Sequence, residues 1–111
     1  MRVKAVAKYV GISSRKLGLV AEVVRGQKVE ETLALLSFYT TPAARAIAKV
    51  VKSAAANAEN NHQMSVSELK IVGLFIGQGA TLKRIRAQAR GRVSPILRRT
   101  SHITAIVDTE E

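Results

Sequence analysis

The sequence contains no cysteine and no tryptophan, and its aromatic residues are only two tyrosines and two phenylalanines. The absence of cysteine excludes disulfide bonds, thiolate metal sites and cysteine nucleophiles. Because hydrophobic residues make up 47% of the chain but aromatics only 4%, the core must be aliphatic and rich in alanine. That composition favours helices packed closely against a sheet.

Acidic residues are also scarce. Eight Asp and Glu residues stand against eighteen Lys and Arg residues, which gives a formal net charge of +10 at pH 7. A domain of 111 residues with this charge repels itself, and a polyanionic partner would relieve the repulsion. The balance predicts nucleic-acid binding. The alternative is a basic soluble protein without a fixed partner.

Long apolar runs and catalytic clusters are missing as well. No apolar run approaches the roughly 18 residues that a membrane span needs, and residues 1–10 lack the apolar part of a secretory signal. His62 and His102 lie far apart in the sequence, and Asp108 is the only aspartate. We therefore predict no catalytic residue, no metal site, no cofactor and no membrane partner. A cytoplasmic protein is expected, with an organellar location left open.

Hydrophobic periodicity predicts three helices. The first shows an apolar face at i, i+3, i+4 and i+7 from Leu17 to Val24, with Ser13 or Ser14 as its cap and Gly26 after its end. The second is expected over residues 29–38, and the third begins with Thr41 as N-cap and Pro42 at the first helical position. This third helix is predicted to end in the turn at residues 60–63.

Three strand-like segments complete the pattern. Residues 3–10 and 101–107 read as strands, and residues 66–77 are apolar on both faces, which predicts a strand in the middle of the sheet or covered by helices. The segment between the last two strands predicts a hairpin. We expect an α+β fold, with three helices packed on a small antiparallel sheet and a long protruding β-hairpin. Residues 1–111 would form a single domain, with a body of residues 1–79 and 100–111 and a basic hairpin of residues 80–99.

The hairpin segment carries the strongest functional signal, because no acidic residue occurs between Leu69 and Val107. Its seven cations are Lys83, Arg84, Arg86, Arg90, Arg92, Arg98 and Arg99. Burying them unpaired would cost several kcal/mol each, and the excess of arginine over lysine favours bidentate contacts with phosphate. A solvated charged loop is the alternative. The small residues near the tip offer no aromatic ring, so we expect recognition of phosphates and RNA shape rather than of unpaired bases.

Other residues in the body extend this prediction. Arg15 and Lys16 follow the helix cap and suit a phosphate at a helix N-terminus. His102 is expected to form a hydrogen bond at the hairpin base or to contact RNA. A DNA-binding architectural protein that grips a duplex with a basic β-ribbon is the alternative function. A membrane-active cationic segment is weaker, because the basic stretch lacks helical amphipathicity.

Several strings of this sequence resemble the L22 family of large-subunit ribosomal proteins. The hairpin strings are KRIR at residues 83–86, ARGR at 89–92 and ILRRTSHIT at 96–104. The body strings are ISSRKL at residues 12–17, VRG at 24–26 and SAAANAE at 53–59. The resemblance covers nearly the whole chain, in order and at matching spacing.

This resemblance implies a structural constituent of the large ribosomal subunit that is not an enzyme. The body would lie on the subunit surface, and the hairpin would pass among rRNA domains and aid assembly. The seven hairpin cations would contact rRNA. The tip residues Ala87, Gln88, Ala89 and Arg90 would line the nascent-peptide exit tunnel. The implied partners are large-subunit rRNA, neighbouring ribosomal proteins and the nascent polypeptide.

Overall fold

The computed structural model describes residues 2–79, 82–87 and 93–109, and for residues 82–87 and 93–98 it describes the backbone. The elements in chain order are β1 (Val3–Val10), α1 (Ser14–Val24), α2 (Val29–Leu36), α3 (Pro42–His62), a 3-10 turn (Val66–Glu68), β2 (Leu69–Gln78), β3 (Leu82–Ala87), β4 (Val93–Arg98) and β5 (Ser101–Thr109). The predicted α+β class is confirmed.

Two antiparallel sheets organise the strands. The body sheet has the order β1-β5-β2, so β5 is its central strand, and β3 pairs with β4 in a separate two-stranded sheet. Within this second sheet the register runs from Leu82 opposite Arg98 to Ala87 opposite Val93, which confirms the predicted hairpin. The molecule is elongated, with extents of 64 × 26 × 18 Å.

The core lies on one face of the body sheet, beneath the three helices. Helix α3 packs on β1 and β5, while α1 packs on β2. The side chains that α3 buries include five alanines, and this small size lets the helix approach the sheet closely. As expected from the composition, the buried hydrophobic residues in the described part of the chain are all aliphatic. The largest fully buried hydrophobic side chains are Leu17, Ile47, Leu69, Ile71, Leu74 and Ile103.

The prediction for β2 was wrong in its position. The strand lies at an edge of the sheet, and only one of its faces is covered by helices. Leu69 and Leu74 are buried on that face, whereas Val72 and Phe75 are exposed. The register shifts between Ile71 and Gly73, and such a bulge changes which residues face the core. The apolar residues on both faces therefore reflect a bulge and an exposed patch, not burial of both faces.

The outer edge of β2 is paired with the connection between α1 and α2. The N–H of Gly26 donates to the carbonyl of Ile71 at 3.1 Å, and the N–H of Ile71 donates to the carbonyl of Gln27 at 2.9 Å. The Arg25 guanidinium donates through Nε and Nη2 to the carbonyl of Leu74, at 3.2 and 2.7 Å. Gly26 has φ +84°, a conformation that glycine adopts without steric cost. Two residues of the VRG string, Arg25 and Gly26, therefore bind main-chain groups at the outer edge of β2.

The helix boundaries largely follow the sequence. Helix α3 begins and ends as predicted, and Gln63 after it is left-handed with φ 54°. Helix α2 ends at Leu36, two residues earlier than expected, because the N–H of Phe38 bonds to the carbonyl of Leu35 in a tight turn. Ser13 occupies the N-cap position of α1, but its side chain makes no capping hydrogen bond.

The two N-caps allow a matched test of stability. The Thr41 hydroxyl accepts a hydrogen bond from the N–H of Ala44 at 3.4 Å, so Thr41→Ala should lower the free energy of unfolding by about 0.5–1 kcal/mol. Ser13→Ala removes no such bond and should change stability by less than that. Urea unfolding of both variants measures the difference. Equal losses would show that the Thr41 bond is not what distinguishes the two positions.

Candidate nucleic-acid interface

Exposed cations form a stripe along helix α3. Arg45, Lys49 and Lys52 recur at i, i+4 and i+7 and are all exposed. Lys49 also lines a cavity of about 380 Å³ between α3 and β1. Among the described residues no carboxylate forms an ion pair with these three side chains. The stripe can therefore offer its charge to an external polyanion.

A second cationic position lies at the start of α1. Arg15 and Lys16 are exposed in the first turn, which contains no acidic residue. The free N–H groups of a first turn carry partial positive charge that attracts phosphate. Lys16 also borders a cavity of about 690 Å³, together with Leu19 and Tyr39. The structure therefore places both predicted residues together at a helix N-terminus.

The predicted hairpin residues fall partly inside the described chain. Lys83, Arg84 and Arg86 belong to β3, while Arg98 ends β4. Arg99 follows β4 and is exposed. The remaining predicted cations, Arg90 and Arg92, lie outside the described residues, as do Gln88 and Ala89 of the tip. Of the predicted tip residues, only Ala87 is described, as the last residue of β3.

Hydrogen bonds of Ser101 and His102 connect the base of the hairpin to the body. The buried Ser101 hydroxyl donates to the carbonyl of Ile12 at 2.7 Å. The Nδ1 atom of His102 accepts the N–H of Tyr9 at 3.1 Å, which leaves Nε2 as the donor atom of the neutral ring. The N–H of Gly79 donates to the carbonyl of Thr100 at 2.9 Å. The predicted hydrogen bond of His102 is confirmed, and its contact with RNA stays a prediction.

The face of the body sheet opposite the helices was missed by the sequence reasoning. We call it the open sheet face, and its described residues are Lys4, Val6, Tyr9, Lys70, Phe75, His102, Thr104, Ile106 and Asp108. The signal lay in the alternation of β5, whose odd-numbered residues from Ser101 to Val107 are buried while the even-numbered ones are half-buried. Because the aromatic residues come from β1 and β2, no single segment of sequence revealed that they share a face.

One carboxylate lies on this face. The backbone N–H of Thr109 donates to Asp108 Oδ1 at 2.8 Å and holds the pKa of Asp108 below its ordinary value. The nearby positive charge of Arg2 acts in the same direction. Lys70 is the partner of Asp108 in the register. Lys4 and Lys70 outnumber the carboxylate of Asp108 on this face, so its described residues keep a positive net charge.

Within residues 2–79, 82–87 and 93–109, no group of three or more His, Asp or Glu side chains is placed to hold a metal ion. None of the described helices is both long and apolar enough to span a bilayer.

The sequence can be compared with those of known proteins. The sequence profile of the ribosomal protein L22p/L17e family matches residues 5–108. The chain belongs to this family of ribosomal proteins. Proteins named "Large ribosomal subunit protein uL22" are close relatives. That of Dehalococcoides mccartyi is 54% identical over 107 residues, covering 96% of this chain and 98% of the relative.

Other bacterial relatives show the same full-length similarity. The protein of that name from Desulforamulus reducens is 49% identical over 111 residues, covering 100% of this chain and 98% of its own length. The one from Clostridioides difficile is 51% identical over 107 residues, covering 96% of each. The family predicted from the hairpin and body strings is confirmed, and the similarity spans both the body and the hairpin.

Proposed function

We propose that this chain is a structural constituent of the large ribosomal subunit, without enzymatic activity, in the cytoplasm. The observation that carries the proposal is the similarity over nearly the full length to proteins named as large-subunit components. The net charge of +10 supports a polyanionic partner. The implied partners are large-subunit rRNA and neighbouring ribosomal proteins, with no cofactor and no metal.

Phosphate contact is the main mode of binding that we propose. In the body, Arg15 and Lys16 are exposed at the start of α1, where a helix N-terminus favours an anion. In the hairpin, the seven cations from Lys83 to Arg99 would contact phosphates along its length, and His102 would add a contact at its base. Such contacts position a protein on RNA without reading its sequence.

The hairpin geometry supports insertion between RNA segments. Each described arm has six residues, which at about 3.3 Å per residue span roughly 20 Å. A two-stranded ribbon alone is only marginally stable in water. Surrounding RNA would order it, and a ribbon that touches several rRNA domains would aid subunit assembly. We further propose that the tip, at Ala87, Gln88, Ala89 and Arg90, lines the nascent-peptide exit tunnel and meets the nascent polypeptide there.

Sedimentation of a cell lysate through a high-salt sucrose gradient tests the function. Salt weakens phosphate contacts of loosely bound basic proteins, so an integral component should remain with the large subunit in a one-to-one ratio. Immunodetection of the chain against a large-subunit protein of known stoichiometry gives that ratio. Recovery of the chain free in solution would contradict the proposal, and recovery with chromosomal DNA would favour the DNA-binding alternative.

A further inference from the structure

On the open sheet face, the exposed ring of Phe75 packs over the backbone of Gly73. The Phe75 side chain on β2 is 59% exposed. A Cβ atom built on Gly73 would lie 2.9 Å from Cε2 of that ring and 3.5 Å from Cδ1 of Ile106. The ring therefore occupies the space above the glycine backbone, where any larger residue would displace it. Its remaining surface is in contact with solvent.

A second pair of rings lies on the same face. The ring centroids of Tyr9 and His102 are 5.0 Å apart, with an interplanar angle of 87°. Tyr9 has φ 57° in a bulge of β1, and its N–H bond to His102 Nδ1 holds this strained backbone in place. Tyr9 is 66% exposed. The hydrogen bond from the Tyr9 backbone therefore fixes the pair, while the Tyr9 ring remains exposed to solvent.

The register places these rings on the same face of the sheet. Phe75 pairs with Thr104 across the strands, and Thr104 is two residues from His102 on the same face. The Phe75 ring leans from this position toward Gly73 and Ile106, so Phe75 and the Tyr9–His102 pair present two separate ring surfaces. We call Tyr9, Phe75 and His102 the ring platform. Of the four Phe and Tyr residues in the chain, two lie exposed on this face.

The lysines near the rings indicate what kind of molecule this face would bind. Lys4 alternates with the buried Val3 and Ala5 and lies opposite Ile106, beside the ring platform. Lys8 is also exposed, next to Tyr9. Unpaired RNA presents a flat apolar base and an anionic phosphate at every nucleotide, and aromatic rings bordered by cations match both. An apolar protein surface would match the rings but not the lysines.

We propose that the open sheet face binds unpaired nucleotides of RNA, with one base stacked on Phe75 and another on the Tyr9–His102 pair. Lys4 contacts the adjoining phosphate. This inference rests on the proposed function and adds base stacking to it. It also revises the expectation that the protein recognises only phosphates and RNA shape, which was based on the absence of rings at the hairpin tip.

Substitution of Phe75 in the full-length protein tests the platform. The probe is a fluorescein-labelled single-stranded oligouridine of about ten nucleotides, and binding is followed by fluorescence anisotropy at about 0.1 M salt. Phe75→Ala should weaken binding by about tenfold, and Phe75→Trp should restore it. Phe38→Ala is the matched control, because Phe38 is 84% exposed in the turn after α2 and outside the sheet. That variant should bind within about twofold of the original protein.

An abasic oligonucleotide of equal length and charge separates stacking from electrostatics. Wild-type protein and Phe75→Ala should bind this probe equally, because it offers no base to stack. An equal loss on both probes would overturn the proposal, since the effect would then not depend on bases. Unchanged affinity for oligouridine would also overturn it and assign this face to a protein neighbour. In either case co-sedimentation with the large subunit would still support the proposed function.

Discussion

Replacing Arg84, Arg86, Arg90 and Arg92 together by glutamine should flatten the dependence of RNA affinity on salt. Each phosphate contact contributes about 0.7–0.9 to the slope of log affinity against log salt concentration. Four lost contacts therefore lower the magnitude of the slope by about three. The affinity at about 0.1 M salt should fall by several orders of magnitude. Filter binding to large-subunit rRNA over a salt series measures both quantities.

A charge-conserving variant provides the control for this experiment. The same four positions changed to lysine keep the number of cations but lose the planar fork that contacts phosphate in a bidentate way. This variant should retain the slope while its affinity falls by a smaller factor. An unchanged slope for the glutamine variant would mean that these four arginines do not contact phosphates, and the hairpin would lose its proposed role.

Leu17→Ala should destabilise the fold far more than Leu19→Ala, although both leucines lie on helix α1. Leu17 is fully buried, whereas Leu19 is 65% exposed. Removing a buried leucine side chain costs about 2–5 kcal/mol of unfolding free energy because transfer and cavity terms add. An exposed leucine has little burial to lose, so Leu19→Ala should cost about 0.5 kcal/mol or less.

Denaturant unfolding followed by circular dichroism compares the two leucine variants directly. Both changes remove the same atoms and introduce the same good helix former, so differences in helix propensity cancel. The gap between their unfolding free energies therefore isolates the contribution of burial beneath α1. Similar losses at both positions would show that α1 is not packed on the sheet as the structure has it. If Leu17→Ala fails to fold, Leu17→Val supplies a milder change at the same site.

Much of the fold could be predicted because its helices are amphipathic and have clear start and stop signals in the sequence. Thr41 and Pro42 mark the start of α3, and Gly26 marks the end of α1, each through local backbone chemistry. The position of β2 could not be predicted in the same way. Its bulge between Ile71 and Gly73 breaks the alternation on which strand assignment depends. Sheet order also depends on distant pairing, which no local pattern specifies.

The candidate site, like the fold, could be predicted from the sequence only in part. The hairpin cations lie within one short segment that contains no acidic residue, so the sequence alone predicts them as phosphate contacts. The ring platform joins Tyr9, Phe75 and His102 from three strands, and it exists only through the strand register. Tyr9 further depends on a positive φ in a bulge, which is uncommon for a residue that is neither glycine nor asparagine. Sequence periodicity contains no signal for such a conformation.

The hydrogen bonds between the α1–α2 connection and β2 also affect whether free copies of the protein aggregate. An exposed strand edge invites pairing with a second chain and leads to aggregation. On one side of the sheet, Gly26, Gln27 and Arg25 occupy main-chain groups of β2 that a second chain would need. On the other side, β1 carries Lys4 and Lys8, and lysines on an edge strand repel a like strand. A newly made copy is therefore less prone to join its sheet to that of another copy.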